Sequence, residues 1–391
     1  MALTDYDLPV DWDSLNKAIC ADCLADNALK ELAAANADED RCDYCGREGE
    51  GVACDADIVM TRIDEGLAED YTDPINVLFF GEDGGWEGPT YDTDDVIGSI
   101  EETIGVDDFV IDVIAAYGAA EWTDEEPYIT PRHEALIYSW DRFAEIVKYE
   151  SRFLFLTRPA AEYPDPHDVA AGEMLDAVGA MLEEAHLIRA IEAGTDLYRA
   201  RPGSPGAFPL DAKNLGTAPR DKAFSNRMSP AGIALFYGAL AAETAAKEVW
   251  SGSGPGHEQV AVARFVNSEG LRVLDLSDLP PVPSRFAEER ALRTTLRFLH
   301  PFVERISRAV RTAPRSVGEE VEYVPTQIVS EYLRTTYADG ALDGLLYRSV
   351  EHDGGICAAL FVPPERCVDA DAELPPDGLV FAGAEEWMTF P

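Results

Sequence analysis

The chain has 391 residues and a hydrophobic fraction of 46%, which is typical of a folded protein with two or three domains and excludes an intrinsically disordered one. No apolar run reaches the length of about 18 residues that a membrane-spanning helix needs. The first ten residues are acidic and lack the basic and apolar regions of a secretory signal. We therefore expect a cytoplasmic protein.

The net charge of -43 is extreme, and only six of the 31 basic residues are lysine. Because each contact with a phosphate needs a cation, we expect neither DNA nor an anionic membrane as a partner. Three interpretations of the acidity stay open: a surface suited to a salty cytoplasm, a domain that binds a basic partner, or solubility alone. Between Ala53 and Thr130 the only basic residue is Arg62, and this contrast with the second half predicts a domain boundary.

Two Cys-x-x-Cys pairs lie near the N-terminus, with 18 residues between them: Cys20, Cys23, Cys42 and Cys45. Two residues between thiols let both sulfurs face one ion, and four thiolates complete a tetrahedral zinc site. A redox pair or two disulfides fit a cytoplasmic chain less well. We predict a structural zinc in a small unit of residues 1–60. The remaining cysteines are interpreted as small apolar residues: Cys54, Cys357 and Cys367.

Residues 61–188 are predicted to form a mainly helical extension domain with no active site. Its predicted elements are a strand at 75–80 and helices at about 97–117, 133–156 and 169–187. Leu136, Trp140 and Phe143 share one face of the second helix, as their spacing shows. The prolines at 164 and 166 interrupt the chain before the third.

The C-terminal half alternates strands and helices without a repeated βαβ unit, which predicts the α+β class. The predicted strands are 197–201, 259–265, 271–276, 343–349 and 356–362. The predicted helices are 233–247, 285–312 and 323–337, with Pro301 expected to kink or split the second. Glu248 follows the first of these helices. From Asp369 we expect an acidic tail, residues 369–391.

A basic segment stands out on this acidic chain. Residues 199–227 contain six basic and two acidic side chains. Because the overall field repels anions, such a segment points to a specific anionic ligand. The alternative is that these side chains neutralise nearby acids.

Several motifs in chain order resemble the RES domain, a family named for an Arg, a Glu and a Ser. They are LYRAR at 197–201, NRMSPAGI at 226–233, Tyr237 with Glu248, PTQ at 325–327 and DGLLYRS at 343–349. The resemblance implies a RES domain at residues 189–368 with an ADP-ribosyltransferase-like mixed sheet. It also implies a toxin or defence effector that depletes NAD+ by cleaving its nicotinamide N-glycosidic bond, as a glycohydrolase or a phosphorylase. The cysteine pairs and the helical region look like the N-terminal extension of longer RES proteins.

The resemblance assigns roles to individual residues. The implied catalytic residues are Arg199, Tyr237, Glu248 and Ser349, and the implied NAD+-binding residues are Tyr198, Arg199, Arg201 and Arg227. Asn226 departs from the family, where a glycine often precedes the second arginine. Ser330 competes with Ser349 for the family serine, although Ser349 has the better strand context.

The chemistry explains these residue types. Cleavage of the nicotinamide–ribose bond builds an oxocarbenium-like cation, which the Glu248 carboxylate would stabilise. Arg199 and Arg227 would hold the pyrophosphate, because planar guanidinium groups match phosphate oxygens. Ser349 would hold the ribose or the nicotinamide amide, and Tyr237 would stack on the nicotinamide. A regular helix would place Tyr237 and Glu248 on one face, about three turns apart.

Other functions stay open at this point. The same pocket would suit an ADP-ribosyltransferase acting on a macromolecule, and a RES fold without activity would serve as a binding module. A helical ribonuclease is a third candidate, but its only suitably spaced pair, Arg293 and His300, lies outside the helical domain. The expected partners are NAD+, inorganic phosphate, and an antitoxin protein or the N-terminal extension acting as a regulator in cis. The acceptor, water or phosphate, and the oligomeric state stay undetermined.

Overall fold

The computed structural model describes residues 10–157, 165–250, 259–307, 317–373, 375 and 377–389. The chain divides into two compact units: the first ends at Pro131 and includes Val282–Thr294, and the second comprises Arg132–Pro281 and the chain from Thr295 onward. The domain boundaries predicted at residues 60 and 188 do not coincide with this division. The first would cut a helix, Ala56–Leu67, and the second a strand, Ile188–Ile191.

The first unit combines short strands with helices. Its strands are β1 (Ala18–Ile19), β2 (Glu39–Arg41), β3 (Glu48–Asp55), β4 (Tyr71–Thr72), β5 (Phe80–Gly81), β6 (Gly85–Trp86), β7 (Tyr91–Asp92) and β8 (Glu121–Asp124). Its helices are α1 (Asn27–Ala35), α2 (Ala56–Leu67), α3 (Pro74–Val77), α4 (Thr93–Gly98), α5 (Glu101–Ile104) and α6 (Asp107–Tyr117). The strands pair antiparallel in the orders β1-β3-β2, β4-β8-β7 and β5-β6.

Aspartate caps decide where several of these helices begin. The carboxylates that accept backbone N–H groups at helix N-termini belong to Asp26, Asp55, Asp73 and Asp92. The strand predicted at 75–80 is wrong for this reason, because Asp73 and the following Pro74 start a helical turn. The single helix predicted at 97–117 is divided into three. Gly105 interrupts it where a Cβ atom would lie 2.4 Å from the carbonyl oxygen of Cys23.

One apolar core fills the first unit, and the segment 282–294 is part of it. The fully buried Phe286 packs with residues such as Met60 and Ile63, and its carbonyl accepts a hydrogen bond from Arg62 at 3.1 Å. Arginines of the segment pair with carboxylates of α2 and the turn after it: Arg285 with Asp70, and Arg290 with Glu65 and Glu69. The segment is therefore anchored by both apolar burial and charge.

The four predicted zinc ligands converge in this unit. The sulfur atoms of Cys20, Cys23, Cys42 and Cys45 all lie within 4.8 Å of one another. Three of the separations are 3.6, 3.6 and 3.7 Å, far longer than a disulfide bond. Sulfurs of a tetrahedral site with Zn–S bonds of about 2.3 Å lie about 3.8 Å apart, so the cluster fits zinc. Gly46 follows the second pair with a φ of +70°, a turn conformation that glycine adopts without strain.

The second unit is built around a large mixed sheet. Its helices are α7 (Arg132–Glu145), α8 (Met174–Glu184), α9 (Ala212–Leu215), α10 (Ala242–Trp250), α11 (Arg293–Ser307), α12 (Val317–Glu322) and α13 (Val324–Thr335), of which α11 begins in the first unit. Its strands are β9 (Ile188–Ile191), β10 (Asp196–Gly203), β11 (Phe236–Ala239), β12 (Gln259–Asn267), β13 (Leu271–Asp275), β14 (Gly344–Arg348), β15 (Ile356–Leu360), β16 (Cys367–Asp369) and β17 (Leu379–Thr389).

The nine strands have the order β16-β17-β12-β10-β11-β15-β14-β13-β9, with parallel pairs β13–β14 and β16–β17 among otherwise antiparallel ones. The α+β class and the five predicted strands are confirmed, as is the helix predicted at 323–337. The segment 369–391, predicted as an acidic tail, contains strand β17, which pairs with β12. Phe381 explains this, because it packs edge-on against Phe265 of β12 at 5.7 Å and shares the core of the sheet.

Other predicted helices also differ from the structure. The helix predicted at 233–247 is wrong, because strand β11 and then α10 occupy this stretch. Gly238 allows the strand to lie close to β10, where a Cβ atom would stand 2.8 Å from the carbonyl oxygen of Tyr198. The helix predicted at 133–156 ends in a π-helical turn, Ile146–Glu150, and that predicted at 169–187 shortens to α8. The helix predicted at 285–312 is shorter and begins at Arg293, and Pro301 lies inside this helix, α11, without splitting it. Its predicted end at 308–312 lies outside the described residues. Among the described residues no helix has the length and apolarity to cross a membrane.

We predict that the protein binds one zinc ion per chain at the four-cysteine cluster. Cys42→Ser should abolish stoichiometric zinc and unfold the first unit, because structural zinc contributes directly to folding. Elemental analysis would give the metal content, and hydrogen exchange would show which unit loses protection. Cys54→Ala, which alters a buried cysteine outside the cluster, should keep its zinc. Absence of metal from protein purified without chelator would contradict the prediction.

Candidate active site

The centre of the large sheet lines up side chains from four neighbouring strands. Tyr198 pairs with Ala239, Ala239 with Cys357, and Cys357 with Tyr347. Directly paired residues project from the same face of a sheet, and Tyr237, two residues before Ala239, shares that face. Helix α10 packs over it against β10, β11, β12 and β15. We call this side of the sheet the α10 face.

Glu248 and Ser349, predicted from distant parts of the sequence, meet at this face. The Ser349 hydroxyl donates a hydrogen bond of 2.5 Å to Oε1 of Glu248. The hydroxyl oxygen of Ser349 in turn accepts the backbone N–H groups of Glu351 at 3.2 Å and His352 at 3.0 Å. Both lone pairs of the hydroxyl are thus engaged, so its hydrogen is directed at the carboxylate.

Two buried neutral side chains, Cys357 and Tyr347, lie beside Glu248, and the sequence predicts neither of them at the site. Burial, followed by the charge of Glu248, raises the pKa of the Cys357 thiol. Burial also raises the pKa of Tyr347 well above its usual value. Both groups therefore stay protonated at neutral pH. Strand register brings them to the site, and a single sequence offers no signal for it.

Tyr237 lies on β11 and not on the predicted helix. It shares the α10 face with Glu248 because helix α10 packs across strand β11. Its hydroxyl and that of Ser229 are 2.8 Å apart. Burial raises the pKa of Tyr237 to about 12, although Ser229 and the positive charges of Arg199 and Arg227 act in the opposite direction. The phenol therefore remains a hydrogen-bond donor at neutral pH.

Arg227 stands at the tip of a tight turn and borders a cavity. Its Nε is buried and has no hydrogen-bond partner among the described residues. The cavity has a volume of about 190 Å³. Its lining also includes Trp140, Asp141, Ala144, Lys148, Arg305, Ile306, Glu322, Tyr323, Pro325 and Thr326. A buried unsatisfied donor costs about 1–3 kcal/mol, which a ligand acceptor would offset.

The other charges around this cavity are paired. Arg305 forms a two-pronged contact with Asp141, at 2.8 and 3.1 Å, and Lys148 meets Glu322 at 3.0 Å. Among the described lining residues, Arg227 is the cation without a carboxylate partner. The cavity therefore presents one uncompensated positive charge, in agreement with the anionic ligand that the basic segment predicts.

Arg199 does not join Glu248 and Ser349. Alternation along β10 places it with Leu197 on the opposite face of the sheet, in the core that contains Phe236. Its Nη1 donates to the carbonyl oxygen of Tyr237 at 2.6 Å, and its guanidinium lies 5.6 Å from the centre of the Phe236 ring. Burial lowers the pKa of Arg199. The residue thus supports β11 from behind the candidate site.

The remaining predicted residues have other neighbours. Arg201 donates to the carbonyl oxygen of Asn214 at 2.8 Å and stacks at 4.1 Å over Phe208, on the same face as Arg199. Tyr198 lies on the α10 face, with its hydroxyl 3.5 Å from a carboxylate oxygen of Asp196.

Each residue of the pair with the spacing of a ribonuclease motif contacts a proline carbonyl group. Arg293 donates to the carbonyl oxygen of Pro283 at 3.0 Å, and Nε2 of His300 lies 2.9 Å from that of Pro280.

Comparison with known proteins finds two family models along the chain. The model of the HEPN/RES N-terminal domain 1 matches residues 35–161, and that of the RES domain matches residues 196–379. Neither the curated proteins nor the solved structures contain a match. The second model begins at β10 and includes Arg227, Glu248 and Ser349, the residues on which the resemblance in the sequence depends. The chain is accordingly a RES-domain protein in which a HEPN/RES N-terminal domain 1 precedes the RES domain.

Proposed function

We propose that this protein degrades NAD+ by cleaving the bond between nicotinamide and ribose, with Glu248 as the group that stabilises the cationic transition state. Membership of the RES family supports a toxin-like function related to NAD+ at a coarse level. The observation that carries the finer proposal is the short hydrogen bond between Ser349 and Glu248 at the α10 face. We include in the proposal that the mixed sheet is of the ADP-ribosyltransferase type.

The surroundings of Glu248 suit this role. An oxocarbenium-like transition state develops positive charge on the ribose, and a fixed carboxylate in a water-poor site stabilises it strongly. Ser349 orients the carboxylate, and the neighbouring Cys357 and Tyr347 are neutral. Neither Cys357 nor Tyr347 therefore carries a charge that would oppose or neutralise the carboxylate.

Arg227 supplies the complementary charge for a phosphate group of NAD+. The bordering cavity is smaller than the roughly 300–1,000 Å³ typical of pockets for whole ligands. It therefore takes a phosphate with part of the sugar, while the nicotinamide end extends toward Glu248. Tyr237, protonated at neutral pH, would donate to the substrate or stack on its ring. Zinc would have a structural role in the first unit.

An ADP-ribosyltransferase acting on a macromolecule is the second candidate, because the same groups would cleave the same bond. Incubation with labelled NAD+ separates the two. Release of nicotinamide without label on protein or nucleic acid supports degradation, and product analysis with and without phosphate identifies the acceptor. Intact NAD+ after prolonged incubation with folded protein would refute both functions.

We predict that Glu248→Gln lowers kcat by about 10²-fold, or roughly 3 kcal/mol, while the Kd of NAD+ changes little. The substitution keeps the size of the side chain but removes the charge that matters most when the cation forms. Nicotinamide release gives kcat, and isothermal titration calorimetry gives Kd. Glu243→Gln is the matched control, since Glu243 is an exposed acid of the same helix paired with Lys247. Equal effects of the two changes would contradict the role of Glu248.

The two arginines should behave differently. Arg227→Met should weaken NAD+ binding about tenfold or more, because its partner is charged throughout the reaction. Arg199→Met should instead lower the free energy of unfolding by about 1.5–3 kcal/mol, because it removes the charged donor to Tyr237. Calorimetric titration and thermal denaturation measure the two effects.

Arg220→Met is the control for both arginine variants, since that arginine is exposed and pairs only with Glu365 among the described residues. Loss of NAD+ affinity in Arg199→Met without loss of stability would show that Arg199 contacts the ligand itself.

A regulatory role of the HEPN/RES N-terminal domain 1 is consistent with the family match and with the cavity lining. Helix α7 lies inside that match and contributes Trp140 and Asp141 to the cavity of Arg227. We propose that α7 restricts access to the cavity. The Asp141→Lys substitution turns the attraction between residue 141 and Arg305 into repulsion. If α7 restricts access to the cavity, kcat/KM should rise several-fold. Glu134→Lys makes the same charge change elsewhere on α7, and equal rates in both variants would refute the restriction.

A further inference from the structure

Gln327 of α13 makes contacts that go beyond those expected of a buried packing residue. Its side chain is 7% exposed. Its Nε2 donates to Oγ of Ser225 at 3.0 Å, to the carbonyl oxygen of Asn226 at 2.8 Å and to that of Ser229 at 3.3 Å. A glutamine amide has two N–H donors on a neutral head, which neither glutamate nor methionine offers. The contacts therefore require this residue type.

The acceptors all belong to the turn 225–229. The turn is closed by two backbone hydrogen bonds between Asn226 and Ser229, at 2.8 and 3.3 Å. Arg227 and Met228 form its tip. Because Gln327 binds the carbonyl groups on both sides of this tip, it fixes the orientation of the backbone that carries Arg227.

The turn delivers two groups to the candidate site. Arg227 borders the cavity, and Ser229 places its hydroxyl 2.8 Å from that of Tyr237. Gln327 itself sits on a rigid support, since its backbone N–H bonds the carbonyl oxygen of Tyr323 and its neighbours Pro325 and Thr326 are buried. Those two neighbours line the same cavity. One helix thus forms part of the cavity wall and holds the turn that faces it.

We propose that Gln327 is a positioning residue, which acts on ligand binding through Arg227 and on Tyr237 through Ser229. It touches neither the ligand nor the reacting atoms. The inference rests on the proposed function only in taking the ligand of Arg227 to be NAD+.

A double-mutant cycle tests the proposal. Gln327→Met keeps the length of the side chain but removes both donors, and it should weaken NAD+ binding about tenfold, the factor that one net hydrogen bond is worth. In an Arg227→Met background the same change should weaken NAD+ binding much less, because the Arg227 target is gone and only the route through Ser229 to Tyr237 remains. The loss of thermal stability should be equal in both backgrounds. A general structural role would instead weaken binding equally in both, and that result would overturn the proposal.

Hydrogen exchange makes the test independent of NAD+. Gln327→Met should accelerate exchange in peptides that cover residues 224–232, whereas Thr335→Ala, an exposed change on the same helix, should not. Unchanged exchange in the turn would overturn the positioning role. If the wild-type protein neither binds NAD+ nor releases nicotinamide while the turn still loosens, the proposed function fails and the positioning of Arg227 stands.

Discussion

The short strand β11 between β10 and β15 is the constraint on which the candidate site depends. All four of its residues pair with β15, Ala239 also pairs with Tyr198 of β10, and Gly238 lets the backbone of β10 approach closely. Only two residues separate the end of the strand from the start of α10, and this short connection directs the helix across the α10 face. The strand thereby brings Tyr237 to the face that Glu248 covers. It also turns the Tyr237 carbonyl into the acceptor that holds Arg199 on the other side.

Charge distinguishes the candidate site from the rest of a chain with net charge -43. Many acidic side chains of the first unit have structural roles, because they cap helices or form ion pairs with the few arginines. In the second unit the ion pairs beside the cavity neutralise each other and leave the positive charge of Arg227. The Glu248 carboxylate beside the neutral Cys357 and Tyr347, and the Arg227 guanidinium at the cavity, are charges of opposite sign. A substrate with a developing cation at one end and phosphates at the other matches this pattern.

The family models and the compact units divide the chain differently. The HEPN/RES N-terminal domain 1 ends at residue 161, whereas the first unit ends at Pro131, so α7 belongs to the N-terminal family by sequence and to the second unit by packing. Conversely, the segment 282–294 lies within the RES match and packs with the first unit. Each unit therefore contains chain from both families, and neither family model describes a complete core.

Local features of the sequence were sufficient for the four-cysteine cluster, the α+β class and the buried strands, because thiol spacing and strand patterning act over a few residues. The family resemblance singles out Glu248 and Ser349, but it does not predict the hydrogen bond between them. The sequence could not decide between helix and strand around Tyr237, because a short apolar run fits both until its neighbours are known. The sequence also does not show which face of the sheet carries Arg199, that Cys357 lies beside Glu248, or that Gln327 binds the turn 225–229. These features depend on strand register and on the packing of α13. These are set by contacts between residues about 40 to 120 positions apart, and only the tertiary structure brings those residues together.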